Sequence, residues 1–212
     1  MKPTNVSNRR VIIICSSALA AILLMVWSIA LSSAYSEEQS DKFWAKYYPL
    51  AIGNSWKYSV IGQSGKTEPQ YVVWKVANSS ANSAGPIFAV WQTPSDADDT
   101  GMQLQFTTEG LRELSGGFFL LRFPLKKGGT WSGPGQERVF TVVNEGERCT
   151  VGKLNFDVCA VVQDDDREAK LRTITTYGLG IGPVRYEYHK LVDGAVQPEM
   201  TQALNLISYS VK

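Results

Sequence analysis

The sequence predicts an all-β domain, either an antiparallel sandwich or a partly closed barrel, preceded by one N-terminal transmembrane helix. Three observations carry this expectation. Residues 11–31, VIIICSSALAAILLMVWSIAL, hold no charge over a length that crosses a bilayer. From Trp56 onward, apolar residues recur with a period of two, in short runs bounded by Gly, Pro, Asn, Asp and Ser. The pattern P-L-x-x-G-x-[ST]-W, a turn opening a strand, occurs twice. Together these divide the chain into a cytoplasmic 1–10, a membrane helix at 11–31, a juxtamembrane segment at 32–48 and a β-domain at 49–212.

At 1.5 Å per residue, 11–31 makes a helix of roughly 32 Å, against a hydrocarbon core of about 30 Å. Lys2, Arg9 and Arg10 precede it, while Glu37, Glu38 and Asp41 follow, which keeps the N-terminus in the cytoplasm. Trp27 falls near the outer end, at headgroup depth. A cleaved signal peptide is the competing reading, with Ser32-Ser33-Ala34 before the cut. The apolar run, however, exceeds the usual signal-peptide core of about 7–15 residues. Cys15 follows Ile-Ile-Ile, not the small residues that lipoprotein processing requires. Ser17 and Ala21, four apart, give the helix a small-residue face against which another membrane helix can pack.

Residues 36–39, Ser-Glu-Glu-Gln, fit a helix capping box, so a short helix is expected from there to about Tyr47, ended by Pro49. Phe43, Trp44, Tyr47 and Tyr48 would then lie at the membrane surface or on the domain's rim. Beyond it the alternation begins with Trp56, Tyr58 and Val60, then Val72, Trp74 and Val76, then Ile87, Ala89 and Trp91. Met102, Leu104 and Phe106 follow, then the run 118–123, then Val139, Thr141 and Val143. Tyr186 with Tyr188 and Leu204 with Leu206 complete the pattern, and Asp193-Gly194 marks a hairpin turn between them. Roughly ten to twelve strands result.

The repeat is the most informative motif. Residues 49–56, PLAIGNSW, match 124–131, PLKKGGTW, and each copy follows an aromatic residue, Tyr48 or Phe123. Pro49 and Pro124 fix the chain before a turn, and Gly53 and Gly128 supply an unusual backbone angle. Trp56 and Trp131 anchor the next strand in the core. The sheet therefore reads as two related halves, each opened by the same device. With 176–184, TYGLGIGPV, the repeat resembles an uncharacterised group of bacterial exported, often lipoprotein, β-rich domains. Those domains share a YxPLxxGxxWxY opening and a TxYxxGxGxV stretch near the end, and the similarity spans 47–188. It implies a bacterial envelope location and an all-β fold, and it brings no catalytic residues. The chain departs from that group in having a membrane anchor where a lipidated cysteine is usual.

Composition narrows the function. Once Lys2, Arg9 and Arg10 are placed in the cytoplasm, the remaining basic residues nearly balance the 20 Asp+Glu, which leaves no basic field for nucleic acid. Cys149 and Cys159 form an even pair outside the membrane, which suggests a disulfide. A tight turn at Gly152-Lys153 would oppose Cys149 to Phe156, so the bridge needs a bulge, a wider loop or neighbouring strands.

Signatures of chemistry are weak. The 178–182 stretch, GLGIG, has its third glycine one residue too early for a dinucleotide fingerprint, and it reads as a bend between strands. Gly65-Lys66-Thr67 has Val60 where a phosphate loop needs its first glycine. Asp96, Asp98 and Gly101 imitate a calcium loop, but position twelve is Thr107. Asp164, Asp165 and Asp166 read as a solvated hairpin tip, and His189, the single histidine, as a surface or rim residue without a serine nucleophile nearby. No enzyme, metal or cofactor is expected.

The resulting expectation is a non-catalytic, single-pass accessory subunit of a larger assembly in the bacterial inner membrane, with its β-domain on the periplasmic face. Its partners would be the bilayer and other transmembrane proteins. A tethered periplasmic binding module for a lipid or other apolar ligand is the alternative.

Overall fold

The computed structural model describes residues 43–62, 70–93, 101–192 and 195–212, without the side chains of 43–44, 82 and 195–199. The 11–31 segment with its Ser17 and Ala21 face, the 36–39 box, Gly65-Lys66-Thr67, the 96–99 aspartates and Asp193-Gly194 lie outside the described residues. Among those described, no helix is long and apolar enough to cross a membrane.

Twelve strands form one antiparallel sheet. They are β1 (Ser55–Ile61), β2 (Gln70–Asn82), β3 (Gly85–Thr93), β4 (Gly101–Phe106), β5 (Gly110–Glu113) and β6 (Phe118–Arg122), then β7 (Thr130–Ser132), β8 (Arg138–Val151), β9 (Leu154–Asp166), β10 (Leu171–Gly178), β11 (Gly182–Val192) and β12 (Ala195–Ser210). The order across the sheet is β6-β5-β4-β3-β2-β1-β12-β11-β10-β9-β8-β7. Each half is thus a six-strand meander, the halves join where β1 pairs with β12, and the remaining edges are β6 and β7. The sheet is a nearly closed barrel, which resolves the choice between sandwich and barrel.

The two copies of the repeat make the same backbone hydrogen bonds. Gly53 N–H donates to Val76 O at 2.9 Å, and Val76 N–H returns a bond to Asn54 O at 2.9 Å. Gly128 N–H donates to Val142 O at 2.8 Å, and Val142 N–H to Gly129 O at 2.9 Å. Both glycines have positive φ, +93° at Gly53 and +81° at Gly128, a conformation that disfavours side chains. Pro49 and Pro124 open the two turns, and the Phe123-Pro124 bond is cis.

Tryptophan then enters the core from each copy, with Trp56 fully buried and Trp131 6% exposed. Trp56 lies opposite Trp74 on β2, while Trp131 lies opposite Phe140 on β8 and stacks on its ring at 5.4 Å. Burying one such ring removes about 150–250 Å² from water, worth roughly 4–6 kcal/mol before entropic costs.

The core is aromatic and graded. A 3-10 turn, Phe43–Tyr47, delivers Tyr47 and Tyr48 into one end of the barrel, where both are buried. Both tyrosines are part of the core and not exposed side chains. The compact unit spans Lys42–Lys212, so it takes in part of the segment that the sequence reading set apart as juxtamembrane. Tyr48 packs edge-on to Trp56 at 5.4 Å, and Tyr58, Trp74 and Tyr186 form a second ring cluster with centroids 4.9–5.8 Å apart. At the other end, Val60, Val72, Met102, Leu171 and Tyr188 are only half-buried.

Candidate functional site

Closure between β6 and β7 is made by side chains. The indole Nε1–H of Trp131 on β7 donates to Phe119 O on β6 at 2.8 Å. Phe118 packs against Phe140 at 5.5 Å, and the Arg138 guanidinium lies 3.9 Å from the Phe118 centroid. Because β7 has only three residues and Trp131 reaches across, the two edges meet without a backbone ladder.

Beside this seam is an open cleft of about 600 Å³, lined by Tyr47, Phe123, Pro124, Leu125, Val158 and Glu145, with Thr108 and Gly146. The walls come from five separate segments. Phe123, Pro124 and Leu125 belong to the link from β6 to the second repeat, and Tyr47 to the 3-10 turn. Glu145 and Gly146 lie on β8, where the ladder with β9 shifts register between Val142 and Asn144 and again between Glu145 and Glu147. These shifts turn the strand, and Gly146 at φ +77° accommodates the bend. Burial, and secondarily the Glu145 carboxylate, push the Tyr47 hydroxyl above its ordinary range. The cleft can therefore hold an apolar group, with a carboxylate at its edge for a donor or cation.

The same irregular β8–β9 ladder carries the disulfide. Cys149 pairs with Phe156, as a tight turn dictates, and the shift between Glu147 and Cys149 brings Cys159 within 6.0 Å Cα to Cα. Cys149 and Cys159 are bonded.

Other candidate residues are structural. Residues 179–181 connect β10 to β11, and Gly182 has φ +106°; a Cβ there would lie 2.9 Å from Trp56 Nε1. Trp56 Nε1–H donates to Ile181 O at 2.6 Å. The glycine stretch thus wraps the first repeat's tryptophan and holds no phosphate loop geometry. The aspartates read as a solvated tip instead occupy β9, leaving 167–170 as the hairpin. Asp164 points inward, 7% exposed, and accepts from Arg138 Nε at 2.9 Å, while Asp165 accepts from Arg172 at 2.7 Å. Strand alternation explains this opposition, because successive residues face opposite sides. Burial pushes the Asp164 carboxyl up, an effect that its Arg138 bond offsets in part.

His189 on β11 is half-buried, with 14% of its side chain exposed and Glu187 Oε2 at 3.6 Å from Nε2. Thr107, at the twelfth position of the supposed calcium loop, instead accepts from Glu109 and Gly110 N–H in the β4–β5 turn. Among the described residues, no group of three or more His, Cys, Asp or Glu is placed to hold a metal.

Sequence reasoning found the repeat but missed the cleft. Pro124 marked the 123–125 wall, yet nothing local ties it to Tyr47, Glu145 or Val158. The one available signal was Asn144-Glu145-Gly146, which interrupts the alternation of β8.

No protein-family model and no curated protein matches the sequence. Among solved structures, the chain is similar to a presumed exported protein with a YmcC-like fold from Bacteroides fragilis. That likeness has 13% identity, covers 76% of this chain and 96% of the other, and has a TM-score of 0.42. It is also similar to a presumed lipoprotein from Parabacteroides distasonis, with 10% identity, 77% and 98% coverage and a TM-score of 0.35.

Proposed function

We propose that the chain is a non-catalytic accessory subunit of a bacterial inner-membrane assembly, tethered by 11–31, with its barrel in the periplasm and the seam as its docking surface. The observation that carries this reading is an apolar cleft beside a seam where two strand edges meet through side chains and without a backbone ladder. Protein partners use strand edges for backbone pairing and adjacent pockets for side-chain anchors. The Cys149–Cys159 bond suits an oxidising compartment, and the near-neutral charge argues against nucleic acid.

A second reading, a tethered module that takes a lipid or other apolar molecule, draws support from the half-buried inner wall at the far end of the barrel. A photoreactive amino acid in place of Leu125, in the full-length chain in its own membranes, separates the two. Crosslinking to a membrane protein is the expected result. Crosslinking to lipid, or to nothing, contradicts the subunit reading.

A further inference from the structure

Charge and apolar exposure are distributed unevenly around the barrel. Strands β1, β2 and β3 contain Lys57 and Lys75 and no acidic residue, while β12 beside them carries one, Glu199, whose side chain is outside the described ones. Strand β9 carries Asp157, Asp164, Asp165 and Asp166 with no basic residue, while β8 and β11 mix both signs, Glu145, Glu147 and Glu187 with Arg138, Arg148, Arg185 and Lys190. The carboxylates nearest in sequence to β3 and β4, Asp96, Asp98 and Asp99, fall outside the described residues.

Eight large hydrophobic side chains are exposed among the described residues, and five of them sit on the neighbouring strands β12, β1, β2 and β3. They are Ile207, Tyr209, Ile61, Tyr71 and Trp91, between 37% and 44% exposed. Trp91 lies opposite Lys75 on one side and Gly101 on the other, and Lys57 Nζ sits 4.7 Å from the Tyr71 ring centroid.

Tryptophan, tyrosine and lysine together are the composition of a bilayer interface. The rings sit at headgroup depth, and the ammonium groups meet anionic headgroups. Chain length brings this wall within reach. Between the end of the anchor and Lys42 lie only ten residues, 32–41, which span at most about 36 Å.

We propose that the β12–β1–β2–β3 wall lies on the periplasmic leaflet of an anionic bilayer, with Trp91 and Tyr71 at headgroup level and Lys57 and Lys75 on lipid phosphates. The proposal rests on the anchor reading, because only a tethered barrel is confined to the surface. The β1–β12 junction is farthest from the β6–β7 seam in the strand order, so the wall and the seam are separate surfaces.

The test uses the full-length chain in vesicles of phosphatidylethanolamine and phosphatidylglycerol, with acyl chains brominated near the headgroup. Flotation first establishes that the chain is inserted. Tryptophan emission is then compared between wild type and Trp91→Phe, a change that keeps an apolar ring at the site. The expected result is a lipid-quenched component that disappears in Trp91→Phe. In the Lys57→Glu, Lys75→Glu double variant, that component becomes quenchable by aqueous iodide. A Trp91 signal that iodide quenches and bromolipid does not, in a wild-type chain that floats, overturns the proposal. A chain that does not float contradicts the anchor and removes the proposal with it.

Discussion

Trp131 on β7 donates its indole N–H to the Phe119 carbonyl on β6 at 2.8 Å, and β6 and β7 are the two edge strands of the sheet. Its counterpart Trp56 spends the same indole N–H on Ile181 O, while β1 closes the other junction through a ladder to β12. One device therefore opens both halves, with backbone closure at one junction and side-chain closure at the other.

Trp131→Phe retains a ring against Phe140 but leaves the Phe119 carbonyl without this donor. A loss of about 1–3 kcal/mol is expected in denaturant unfolding. Trp131→Ala also empties the core site and is expected to lose about 3–5 kcal/mol. A Trp131→Phe variant as stable as wild type would show that the indole N–H does not hold the seam.

Gly182→Ala places a methyl group 2.9 Å from Trp56 Nε1 at a φ of +106°. Backbone strain alone costs about 1–3 kcal/mol, and the displaced indole adds the loss of its bond to Ile181. The midpoint of thermal unfolding should fall clearly, while Gly146→Ala, whose Cβ has nothing within 4 Å, should pay only for its own positive φ.

These two positions also show what the sequence made legible. Gly53, Trp56, Gly128 and Trp131 repeat a local backbone requirement, so identity and spacing reveal it. Period-two alternation made β1, β2 and β8 visible, because one face of each is buried. Asp164 was misread because a triple aspartate has the composition of a loop. Only the distant Arg138, 26 residues away, makes that strand position tenable. The cleft was invisible for a related reason, since Tyr47, Leu125, Glu145 and Val158 meet through topology and two register shifts.

Arg138→Met strands the Asp164 carboxylate in the core and should cost about 3 kcal/mol. This is the lower end for a broken buried pair, because the Arg138 side chain keeps 29% of its exposure. Adding Asp164→Leu should restore most of the loss, as measured by a double-mutant cycle in urea. Additive losses would mean that the two residues act independently.

Alkali should unfold the barrel. Burial raises Tyr48, Tyr58, Tyr177 and Tyr186 above the ordinary 10.0 and pushes Tyr188 up to about 12. A folded-state pKa above the unfolded value gives stability that is intact below pH 10 and is lost as pH rises through the folded value. Tyrosinate absorbance from these residues should therefore appear together with loss of far-ultraviolet circular dichroism, beginning above about pH 10. Full ionisation of all nine tyrosines with the fold intact would contradict their enclosure.

The most direct measurement of the account is purification of the full-length chain from its own membranes in mild detergent, with every co-purifying protein and lipid identified by mass and quantified. The account predicts one or more transmembrane proteins in fixed stoichiometry with an uncleaved chain, and their loss in a Leu125→Asp variant that remains folded. A solitary chain carrying a stoichiometric lipid would contradict it and establish the tethered carrier instead.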